Sequence, residues 1–144
     1  MVFMEVKKIC EILSDYFSKE EKVACVYLFG STVNDDVKKN NDIDVAILFE
    51  ENCSSFNRFD KRLEYASKLE DIFQKEVDVV NLESCDLYFI RQVMLNNILV
   101  LEKNRDRRVS FEVKQRKLFF DMKHLYDRYY DQMLKRLERG EEDG

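Results

Sequence analysis

Gly30-Ser31 and Asp42-Ile43-Asp44, separated by ten residues, carry the residue types in this chain that could do chemistry on a phosphate. Gly30 ends the apolar run Val23 to Phe29 and is one of only three glycines in 144 residues. The other two, Gly140 and Gly144, fall in the polar C-terminal tail. A chain so poor in glycine keeps one where a side chain would obstruct. A strand that stops at Gly-Ser and turns into a helix offers backbone N–H groups, a hydroxyl and a helix N-terminus, which together suit an anion. Asp42 and Asp44, at i and i+2 of a strand, share a face and can hold a divalent cation beside that anion.

A third acid follows. Glu76-Val77-Asp78-Val79-Val80 sets one aspartate among valines, where an unpartnered charge is costly. If its strand pairs with the one carrying Asp42 and Asp44, three carboxylates converge. Like charges a few ångströms apart ionise reluctantly unless a cation lies between them. Such a cluster suits two magnesium ions about 3.5–4 Å apart, which steady the attacking and leaving oxygens of a phosphoryl or nucleotidyl transfer.

These residues need elements to position them. Apolar residues at Val6, Ile9, Cys10, Leu13, Tyr16 and Phe17 predict a helix over 4–17. Val23 to Phe29 reads as a buried central strand, Ser31 to Val37 as a short helix with Ser31 near its N-cap, and Lys38 to Asn41 as a polar turn. A strand over 42–49, a loop to Ser55, a long helix over 56–75 and a strand over 77–82 follow. A helix over 86–95, a short extended piece over 98–101 and a final helix over 108–139 complete the chain. This order predicts an α/β (α+β) fold, a small mixed sheet flanked by helices, as a single domain over 1–144. Residues 1–105 form its core and 106–140 its long C-terminal helix.

Composition excludes several classes. With 45% hydrophobic and 37% charged residues the chain reads as globular, and no apolar stretch approaches the roughly 20 residues of a membrane span. The N-terminus lacks a secretory pattern, so a cytoplasmic location is expected. A net charge of −5, with bases interspersed among acids, argues against a partner that is a long nucleic acid. Cys10, Cys25, Cys53 and Cys85 are widely spaced and the single histidine, His124, stands on a helical stretch, so a zinc site is not expected.

Gly30-Ser31, the spaced Asp42-Ile43-Asp44 and Asp78 resemble the DNA polymerase β-like nucleotidyltransferases. Size and element order are most similar to the minimal branch, the MntA-type antitoxins that pair with HepT toxins of the HEPN ribonuclease class. The resemblance implies the polymerase-β-like fold and a nucleotide site at Gly30, Ser31 and Thr32. It implies that Asp42, Asp44 and Asp78 are the catalytic and magnesium-ligating residues, with ATP as substrate and two Mg²⁺ ions as cofactors. In that branch AMP passes to a tyrosine of the toxin, with pyrophosphate released, and the ribonuclease is silenced. One departure stands out. Relatives often carry a small residue, an arginine and a glycine after Gly-Ser, whereas this chain has Val33-Asn34-Asp35, leaving Lys38 and Lys39 as the nearest cations.

The final helix carries more apolar residues than one buried face requires. Tyr126, Tyr129, Tyr130 and Met133 are candidates for a contact with another protein, in a homo- or hetero-oligomer. Two alternatives to catalysis on a protein remain open at this level: an antitoxin that blocks its partner sterically beside a weak nucleotide site, and a nucleotidyltransferase acting on a small molecule.

Overall fold

Val23 to Leu28 are buried without interruption, because this strand runs through the middle of the sheet and is covered on both faces. The computed structural model describes residues 5–34 and 42–140. In chain order the elements are α1 (Val6–Phe17), β1 (Val23–Phe29), a 3₁₀ turn (Gly30–Asn34), β2 (Ile43–Phe49), α2 (Ser55–Phe73) and β3 (Val77–Asn81). A second 3₁₀ turn (Leu82–Ser84), α3 (Leu87–Leu95), β4 (Asn97–Glu102) and α4 (Arg105–Glu138) follow. The strand order is β3-β2-β1-β4, with β1 antiparallel to β2 and β4, and β2 parallel to β3 through the α2 crossover.

Alternation along the strands divides the core into two layers. On one face Val26, Leu28, Ile43, Val45, Ile47, Val77 and Val79 pack with Ile9, Leu13 and Phe17 of α1 and Tyr65, Leu69 and Phe73 of α2. On the other, Cys25, Tyr27, Ala46 and Leu48 pack with Ile90 and Val93 of α3 and Phe111 of α4. Side chains cap the helix starts: Ser54 accepts from the Asn57 N–H at 3.2 Å, Asp86 from Phe89 at 2.8 Å and Asn104 from Arg107 at 3.1 Å. The end of the sheet away from Gly30 is clamped by two arginines. Arg58 donates to Glu83 and to the carbonyls of Cys53 and Glu50, while Arg107 donates to Glu83 and to the Phe49 carbonyl.

Most elements fall where the periodicity predicts them, within a few residues at each end. The exception follows β1. Residues 30–34 form a 3₁₀ turn, tighter than the α-helix expected over 31–37, and Asp35 to Asn41 lie outside the described residues, as does the expected polar turn with Lys38 and Lys39. The cysteines are free: Cys25 and Cys53 are buried, Cys10 and Cys85 half-buried. No helix among the described residues is long and apolar enough to cross a membrane.

Helix α4 has two parts. Its first turns dock on the sheet: Phe111 is 3% exposed, and Glu112 accepts from the Tyr27 hydroxyl at 2.8 Å and from Arg108 at 2.6 Å. At 1.5 Å per residue its 34 residues span about 51 Å, more than the sheet can cover. From Phe120 to its end no residue is buried, and Leu125 is 63% and Tyr129 66% exposed. His124 is also exposed there.

Candidate active site

Register places the acids. Asp44, the second residue of β2, lies opposite Asp78 on parallel β3 and opposite Phe29 on antiparallel β1. Ile43 and Val45 face the α1–α2 layer, so Asp44 projects to the other face, and Asp78, between Val77 and Val79, does the same. Asp42 stands one residue before β2 and is exposed. The three candidate carboxylates thus meet at one corner of the sheet. Burial of Asp44, with Asp78 and then Asp42 as like-charged neighbours, raises its carboxyl from the ordinary range to about 6.

Asp78 differs in setting from the expectation of a buried acid. It is exposed, because it projects from edge strand β3 to the face opposite its buried neighbours Val77 and Val79, away from the α1–α2 layer. The cost that argued for a buried partner therefore falls on Asp44 instead, which is half-buried and feels both neighbours.

Gly30 adopts φ +81, and a Cβ built on it would lie 2.2 Å from Asp44 Oδ2. Its lack of a side chain lets the turn and the Asp44 carboxylate close on each other. Ser31 is exposed at the same turn. Thr32 is different: it is 1% exposed, and its hydroxyl donates to the Asp42 carbonyl at 3.3 Å. Its side chain ties the turn to the start of β2, which leaves the backbone and Ser31 to face a ligand.

Oxygen donors of this kind match magnesium, and a cation beside Asp44 would offset both the burial and the like-charged Asp78 and Asp42 that raise its carboxyl. Among the described residues no three acid, histidine or cysteine side chains are already closed around one point. The residues present fit the group.

A mixed four-stranded sheet with helices on both faces, a Gly-Ser turn after β1 and acids on β2 and β3 define a nucleotidyltransferase core. The chain belongs to the polymerase beta nucleotidyltransferase family, whose pattern matches residues 11–106. Among individual proteins, it is 32% identical over 87 residues to the protein adenylyltransferase MntA of Shewanella oneidensis, a match covering 60% of this chain and 58% of that relative. The matched stretch therefore spans less than two thirds of MntA. A chain of a toxin–antitoxin crystal structure containing AMP-PNP superposes with a TM-score of 0.66 at 25% identity, covering 91% of this chain and 99% of that one. A chain of an MntA–HepT toxin–antitoxin structure gives 0.59 at 25% identity, covering 89% and 95%.

The structure brings the candidate acids Asp44 and Asp78 into register beside the Gly30 turn, with Asp42 one residue before β2. Phe29, opposite Asp44 in the β1–β2 register, meets Phe89 of α3 with ring centroids 5.6 Å apart, a contact not expected from the sequence. Phe29 was visible as the last residue before Gly30. Phe89 lies sixty positions on, and nothing local marks it.

Proposed function

We propose that this protein is an ATP-dependent adenylyltransferase that moves AMP onto a tyrosine of a HEPN-type ribonuclease toxin, and so acts as its antitoxin. The observation that carries this reading is the Asp44–Asp78 register beside the Gly30 turn. The named similarities to MntA and to toxin–antitoxin structures support it. In this reading residues 1–105 are the catalytic unit, and 106–140 grip the partner.

The roles follow from position. Gly30 and Ser31 hold the β- and γ-phosphates through backbone N–H groups and the hydroxyl. Asp42, Asp44 and Asp78 would hold magnesium, which when bound neutralises charge on the phosphates and on the leaving group. The acceptor oxygen approaches from the β3 edge, where Asp78 is exposed and can take its proton. A bond forms between that oxygen and the α-phosphorus, the bond from the α-phosphorus to the bridging oxygen breaks, and pyrophosphate departs with that electron pair. An open corner suits an acceptor presented by another protein.

The reaction is tested by incubating the protein with magnesium, α-labelled ATP and the product of the neighbouring gene. Label on that partner, located to tyrosine by peptide mapping, is the expected result, and no label on it would reject the reading. Asp78→Asn is expected to cut transfer by about 10³-fold or more while leaving the melting temperature within about 2 °C, because the residue is exposed at a sheet edge. Unchanged turnover would take Asp78 out of the chemistry.

The exposed aromatic face of α4 favours one second reading, inhibition by binding alone. Replacing Tyr126, Tyr129 and Tyr130 with serine is expected to weaken partner binding by about 10²-fold or more, with little change in the isolated protein's stability. Calorimetric titration against the partner checks the affinity. If the Asp44→Asn protein still silences the ribonuclease, binding alone is sufficient.

A further inference from the structure

The sheet aligns one residue from each strand into a single row at its active end. Asp78 lies opposite Asp44, Asp44 opposite Phe29, and Phe29 opposite Asn97. Opposed residues on neighbouring strands project to the same face, so two acids and an aromatic ring lie side by side. Asn97 completes the row by holding the last turn of α3: its Nδ2 donates to the carbonyls of Val93 at 2.8 Å and Met94 at 3.3 Å. The helix is thereby fixed over the β1–β4 half of the face. Phe89 of α3 meets Phe29 edge to face, with rings 5.6 Å apart and inclined at 88°. Both phenylalanines are half-buried, so ring surface stays accessible immediately beside Asp44.

We infer that Phe29 and Phe89 form the wall against which the nucleobase of the bound nucleotide lies, with Phe89 as its positioning residue. The inference rests on the nucleotidyltransferase reading and adds where the nucleoside goes. Its phosphates are committed to the Gly30 turn and its α-phosphorus to the aspartates. Of the two strand neighbours of Asp44, Asp78 lies at the sheet edge, where the proposed reaction admits the acceptor. The other is Phe29. Every base presents a π-face, and an aromatic pair next to a charged cluster is a platform of the kind bases stack on.

The chain contains no tryptophan, so Phe89→Trp supplies a single fluorescent reporter at the wall. AMP-PNP with magnesium is expected to quench it. Inorganic tripolyphosphate is expected to compete with AMP-PNP and leave the emission unchanged. Phe89→Leu keeps an apolar side chain but removes the ring face, and is expected to raise the KM for ATP about tenfold with kcat within about twofold. Should Phe89→Leu melt early, the fluorescence of Phe89→Trp decides alone. Equal quenching by tripolyphosphate and AMP-PNP, an emission that AMP-PNP does not move, or an unaltered KM in a folded Phe89→Leu overturns the wall. AMP-PNP quenching in a protein that transfers no AMP to its partner upholds the wall and rejects only the reaction.

Discussion

Asp44→Asn is expected to lower AMP transfer by about 10³-fold or more, and at the same time to raise the melting temperature of the metal-free protein at neutral pH. The two effects have one cause. Burial and the neighbouring Asp78 and Asp42 lift the Asp44 carboxyl from 3.8 to about 6, so the folded chain holds that proton more tightly than the unfolded chain does. Stability from this group is complete below about pH 4 and is lost as pH rises through about 6. An amide of the same shape carries no charge to repel. Thermal melts from pH 4 to 8 without metal should therefore diverge, with the variant about 2–5 °C above the parent at pH 7.5 and level with it near pH 4. Magnesium should narrow the gap by stabilising the parent more than the variant. Melting curves that stay parallel across this range would remove the claim that Asp44 is under electrostatic load.

Gly30→Ala is expected to be nearly as damaging to activity, by a different route. The new methyl group would fall 2.2 Å from Asp44 Oδ2 and 3.1 Å from its Cγ, and the backbone there sits at φ +81, where an alanine costs on the order of 1–2 kcal/mol. The obstructing atom is the end of a side chain that can rotate, so the fold should survive while the carboxylate is turned out of line. Transfer is expected to drop by about 10²-fold or more, since displacements of about 1 Å at a reacting centre have effects of that size. Combining Gly30→Ala with Asp44→Ala separates the causes: the contacts at 2.2 and 3.1 Å disappear, leaving the backbone cost and a Cβ contact at 3.3 Å. If the double variant is no more stable than the sum of the single changes allows, the close approach is not what keeps glycine at this position.

How far the sequence could be read depended on whether a feature was local. The strand of valines around Asp78, the period of α2 and the glycine at the end of β1 each carry their own signal within a few residues, and each element is where that signal points. Opposing Asp44 to Asp78 required only that two apolar strands with acids be neighbours. What escaped was set by topology. Asp78 is exposed because helices cover the Val77 and Val79 face of the edge strand β3 and leave its own face open, and such packing leaves no trace in a strand's own pattern. Thr32 read as a ligand of phosphate from its place after Gly-Ser, yet its hydroxyl turns inward to Asp42 once the 3₁₀ turn folds over β2. The Phe29–Phe89 pair joins residues sixty apart through α3 packing. The surplus of apolar residues on the last helix was plain in the sequence, and its meaning came from length: the helix outruns the sheet it rests on.

Among the described residues, β3 with Asp78 is an edge strand of the sheet, at the corner where the proposed reaction would take place. On the proposed reading, an acceptor reaching that edge is selected by what delivers its hydroxyl there. The exposed tyrosines of α4 are separate residues from the three aspartates, so on the proposed reading targets would change by remodelling that helix while the aspartates stay as they are.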